Sequence, residues 1–82
     1  MTRVDRMLTL LSEVPPDPTG HAQIDESQTP KLLALVGKSP AKQAIGLKEI
    51  LDDCAYGALA SDFAMMAMDE TWRWALEDIR GE

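Results

Sequence analysis

From Ala44 to Ile79, apolar or small side chains recur three or four residues apart, through Leu47, Leu51, Cys54, Ala58, Ser61, Met65, Met68, Trp72 and Ala75, without losing phase. That spacing keeps them on one face of a helix, so the stretch is a heptad seam that must be buried against another helix. All five prolines lie at or before Pro40, so no proline interrupts the seam. Its weakest points are Gly46 and Gly57, each costing about 1 kcal/mol relative to alanine in a helix interior.

Two all-α architectures satisfy the seam. In one, residues 40–80 form a long C-terminal helix that pairs as an antiparallel homodimer, with short N-terminal helices packed on it. In the other, the helix breaks near Gly57, Ser61 caps a new one, and the chain closes into a compact four-helix domain. Unbroken phase and the helix-forming run Ala58, Leu59 and Ala60 favour the long helix. Such a helix spans about 60 Å, too much for the rest of the chain to cover, and therefore implies an oligomer. Antiparallel pairing about Ser61 sets Leu51 against Trp72, Cys54 against Met68 and Ala58 against Met65, mostly large against small. The expected dimer seam is thus Leu47, Leu51, Cys54, Ala58, Met65, Met68, Trp72 and Ile79.

Upstream, Thr2 with Asp5 three residues on is a helix-start pattern, and Val4, Met7, Leu8 and Leu11 follow at helical spacing. A helix from Arg3 to Glu13 is expected, ended by Pro15, Pro16 and Pro18. Residues 15–29 read as an irregular, exposed connection, in which Ile24 is the one strong apolar residue after the prolines. Thr29-Pro30 then opens a short helix, Gly37 suits a left-handed cap, and Ser39-Pro40 repeats the start signal. Residues 1–82 are read as a single helical domain.

The formal charge of −6 is unevenly spread. Residues 31–48 hold Lys31, Lys38, Lys42 and Lys48 with no acid, whereas 49–82 hold nine acids against Arg73 and Arg80. An acidic chain binds nucleic acid poorly, because phosphate attraction dominates that affinity. The basic segment nevertheless has the outline of a helix-turn-helix, so a DNA-binding regulator using residues 30–48 is the alternative function.

Catalytic chemistry finds little support. The acidic pairs Asp52-Asp53, Asp69-Glu70 and Glu77-Asp78 diverge by about 100° on a helix, and spacing pairs Arg73 with Asp69 and Glu77 instead. The only histidine, His21, lies in the connection, and the only cysteine, Cys54, lies on the seam. Gly37-Lys38-Ser39 lacks the first glycine of a phosphate loop. No catalytic residue, metal or cofactor is expected. With no apolar run long enough to span a bilayer, a cytoplasmic protein without a membrane partner is expected.

What remains is surface for pairing helices. A second stripe, Tyr56, Leu59, Phe63, Met66 and Trp74, turns away from the first, since Trp72 and Trp74 stand about 200° apart. Either the first helix or another protein covers it. The expected function is therefore a non-catalytic protein-binding module, an inhibitor, adaptor or accessory regulatory subunit. The seam itself makes a prediction: a dimer by light scattering in which Cys54 resists mild oxidation. Pairing about Ser61 holds the two thiols about 21 Å apart, whereas a disulfide needs Cα atoms within about 7 Å.

Overall fold

Side-chain oxygens receive the first free amides of three of the four helices. The computed structural model describes residues 1–13, 24, 27–57 and 60–81, with 55–57 described by their backbone alone. Helix α1 is Arg3–Glu13, α2 Thr29–Leu35, α3 Pro40–Gly57 and α4 Asp62–Arg80. Before α1, the Thr2 hydroxyl accepts from the Asp5 amide at 3.1 Å and the Asp5 carboxylate accepts from the Thr2 amide at 3.2 Å. This is a reciprocal capping box. Ser39 accepts from the Lys42 amide at 3.4 Å, and Ser61 from the Ala64 amide at 3.1 Å. Helix α2 differs, because Gln28 rather than Thr29 occupies its cap position and makes no side-chain cap bond. Pro30 eases that start, having no amide to satisfy and a φ already set for helix. Gly37 and Gly81 follow α2 and α4 with φ of 79° and 76°, where a Cβ would be strained.

The long helix over 40–80 does not form. Helix α3 ends at Gly57 and α4 begins at Asp62, with 58–59 outside the described residues. The poor helix former and the Ser61 cap make this the cheapest place to break, and folding back covers the seam within one chain. The longest dimension is 40 Å and the radius of gyration 12.1 Å, against the about 60 Å of an unbroken helix. The unbroken phase misleads because an antiparallel hairpin uses the same complementarity as an antiparallel pair of chains. The turn also recruits the connection: Ile24 is buried and forms an antiparallel bridge with Ala60. At this residue the expectation of an exposed connection fails, because an isolated apolar side chain gains by covering the open end of the core. The rest of 14–26 lies outside the described residues.

Helices α1 and α3 each pack against both α2 and α4, and so face each other diagonally. Val4, Leu8 and Leu11 of α1 meet Leu32 of α2, Leu47, Ile50, Leu51 and Cys54 of α3, and Met68 and Ala75 of α4 in one core. Gly46 has a packing reason: a Cβ there would overlap the Leu35 side chain, lying 2.8 Å from its Cδ1.

Asp5 ties the diagonal together. It is buried, and its Oδ1 accepts from the Gly37 amide at 3.0 Å and from Gln43 Nε2 at 2.8 Å. Gln43 Nε2 also donates to the Leu35 carbonyl at 3.1 Å. The Gly37 amide above all, with Thr2 and Gln43, holds the carboxyl below its ordinary 3.8, outweighing burial. A lowered folded pKa gives stability that is complete above the unfolded value and is lost as pH falls through the folded one. Asp5→Asn should therefore cost about 2 kcal/mol in urea unfolding near pH 7. The gap to the wild type should narrow below about pH 4, and a gap that stays constant into acid would rule out the ionised carboxylate as its source.

Candidate protein-binding surface

The hairpin consumes most of the expected dimer seam. Leu47, Leu51, Cys54 and Met68 are buried in the chain's own core, and Met65 and Trp72 are half-buried against it. Ile79 alone among the described seam residues is exposed, at 50%, and Ala58 lies outside the described residues. These side chains turn inward because α4 supplies, within the chain, the helix that a second chain was expected to supply.

The second stripe is divided. Its C-terminal end is covered by α1, whose Arg3 lies over the half-buried Trp74 ring at 5.3 Å. Arg3 also bonds Glu77 at 2.8 Å and Asp78 at 3.2 Å. Arg73 pairs with Asp69 at 3.2 Å as its spacing suggests, but Glu77, on the side of α4 facing α1, goes to Arg3 instead. Toward the start of α4, Phe63 and Met66 stand 69% and 73% exposed. The Tyr56 side chain and Leu59 lie outside the described residues.

Two hollows follow the outer side of the α3–α4 contact. One of about 420 Å³ lies between Ala41 and Ile45 of α3 and Trp72, Leu76 and Ile79 of α4. The other, about 360 Å³, is lined by Leu51, Met65 and Met66, with Asp52 and Asp69 at its rim. Lys48 separates them, its Nζ 5.4 Å from the Trp72 ring centre and 3.3 Å from Asp52. Asp52 and Asp69 line the second hollow, each paired with a cation of its own helix, Lys48 or Arg73. Asp62, Asp69 and Glu70 lie one turn from Met66 along α4, and Asp52 faces it from α3. Ile45, 63% exposed, and Leu76 belong to neither sequence stripe. Leu76 stands one turn from Trp72 on α4, and the antiparallel register brings Ile45 beside them, although an isoleucine on the polar side of a helix was a signal in itself.

Helices α2 and α3 follow one another across the Gly37 turn, in the segment read as a helix-turn-helix outline. Its charge is partly spent: Lys31 pairs with Asp53 at 3.5 Å and Lys48 with Asp52. Lys38 and Lys42 remain exposed and, among the described residues, outside any ion pair. No group of three or more His, Cys, Asp or Glu among the described residues is placed to hold a metal, and His21 lies outside them. No described helix is long and apolar enough to cross a membrane. No family model, curated protein or solved structure matches this chain.

The exposed pair and the buried seam should separate in stability measurements. Phe63→Ser with Met66→Ser should change urea-unfolding stability by no more than about 0.5 kcal/mol per site, as exposed positions do. Met68→Ala, which empties a fully buried position, should cost about 2 to 5 kcal/mol. Loss of helicity in the double variant would move Phe63 and Met66 into the core and remove them as a surface.

Proposed function

We propose that this protein is a small non-catalytic binding module, of the inhibitor, adaptor or accessory-subunit kind, which takes up a basic amphipathic helix of another protein at the start of α4. The observation that carries this function is the exposed pair Phe63 and Met66 set among the carboxylates of Asp52, Asp62, Asp69 and Glu70. Apolar area supplies the attraction, and methionine side chains adapt to the shape of what lands on them. The carboxylates choose among helices, favouring those whose apolar stripe is flanked by lysine or arginine and repelling acidic ones. A helix laid here would present apolar residues at i, i+3 or i+4, and i+7.

Two model helices with the same apolar stripe, one flanked by lysines and one by glutamates, provide the test, followed by tryptophan fluorescence. The lysine peptide should bind with Kd of about 10 µM, about tenfold or more tighter than the glutamate peptide, and weaken as salt rises. Phe63→Ser with Met66→Ser should abolish binding while leaving the circular dichroism unchanged. Equal affinity for the two peptides, or none for either, overturns the proposal. Duplex DNA is the counter-probe: micromolar binding that falls steeply with salt would favour a regulator acting through residues 30–48.

A further inference from the structure

Among the described residues, unpaired cations gather at one end of the α3–α4 face and carboxylates at the other, although Glu49 lines the hollow at the basic end and Glu77 and Asp78 near it are held by Arg3. Where α3 begins and α4 ends, Lys38, Lys42 and Arg80 are exposed, and none forms an ion pair among the described residues. At the hairpin end stand Asp52, Asp62 and Asp69. The cations nearest the middle, Lys48 and Arg73, are already held by Asp52 and Asp69. Exposed apolar side chains also mark both ends, with Ile45 and Ile79 in the basic half and Met66 in the acidic half. Trp72 lies midway between Met65 and Ile79, about 10 Å of helix from each.

We infer that this face is occupied by a second copy of the same chain, related by a two-fold axis that lies in the interface and crosses the helices at Trp72. That rotation reverses helix direction, so α4 lies antiparallel on α4 and α3 on α3. Ile79 of one copy meets Met65 of the second, Arg80 comes beside Asp62, Lys42 reaches toward Asp52, and the two Trp72 rings meet at the axis. A partner of any other charge order would leave one end facing its own sign, whereas a two-fold supplies the reversed order automatically. The axis is thus at Trp72 and not at Ser61, because the inner seam is already filled.

The end of α4, with Trp72, Leu76 and Ile79 followed by Arg80, is itself an amphipathic helix with a cation in its last turn, the neighbouring Glu77 and Asp78 being held by Arg3. The dimer therefore rests on the function proposed above, that the acidic end accepts such a helix. Two helices about 27 Å long and about 10 Å across present about 540 Å² per chain. A pair buries about 1,100 Å², just above the about 1,000 Å² a specific interface needs and far below an obligate one. Reversible association is the consequence.

Sedimentation velocity of the full chain from about 1 to about 500 µM should show monomer passing to dimer, with Kd in the tens of micromolar. Ile45→Glu and Arg80→Glu should each weaken association about tenfold or more, with helicity retained. Arg80→Glu combined with Asp62→Lys in one chain should restore it, since the two-fold rejoins every swapped pair. A monomer throughout overturns the second copy, and lysine-peptide binding would then show that the acidic end still works as a receptor. A dimer that binds no lysine peptide supports the second copy and overturns the function proposed above. A dimer indifferent to Ile45→Glu and Arg80→Glu, or an open series of larger species, overturns the two-fold at Trp72.

Discussion

One buried carboxylate sets the relation between the two halves of the chain. Taking Asp5 out of water is unfavourable unless its oxygens find donors, and those donors come from three places: the start of α1, the turn at Gly37 and the Gln43 side chain of α3. Each is held by its own local geometry. Gly37 presents its amide because its φ of 79° turns the backbone, and Gln43 is braced by the Leu35 carbonyl. The two helices that face each other diagonally are thereby tied across the core. Once α1 is fixed at this end, Arg3 reaches Trp74, Glu77 and Asp78. Farther along α4 on the same stripe, Phe63 and Met66 stand exposed.

Local chemistry was legible in the residues, and closure was not. Thr2 with Asp5, Ser39 before Pro40, Ser61 and Gly37 each announce a helix boundary through a bond made within a few residues, and each boundary forms there. Whether α3 and α4 are one rod or a hairpin depends on a balance between helix propagation through Gly57 and burial of Leu47, Leu51 and Met68. Burial is a property of the whole chain, and heptad phase carries no information about which chain supplies the partner face. Asp5 shows the same limit. Its capping role is written in its spacing from Thr2, while its bonds to Gly37 and Gln43 span more than thirty residues.

The binding surface divides along similar lines. Phe63 and Met66 stand out in the sequence because their neighbours on the second stripe are apolar too. Trp74 belongs to that stripe by angle but not by exposure, since α1 lies over its end. Ile45 has no stripe of its own, and becomes part of a surface only when the antiparallel register sets it against Trp72 and Leu76. A linear count shows the basic run 31–48 and the acidic run 49–82, but not how the hairpin arranges them along α3–α4. Lys42 early in α3 and Arg80 late in α4 are far apart in the chain and stand at the same end of the hairpin.

The proposed weak dimer and the proposed helix-binding end suit one another thermodynamically. Both draw on the same carboxylates and on the Met65–Met66 edge, so each occupant lowers the apparent affinity of the other by mass action. An interface near the lower bound of specific association exchanges readily, and a partner helix present above its own Kd displaces the second copy. An obligate interface of several thousand Å² would keep the acidic end shut at any realistic partner concentration. Under the two proposals the modest size of the α3–α4 face is a condition for both uses, and chain concentration is the variable that decides between them.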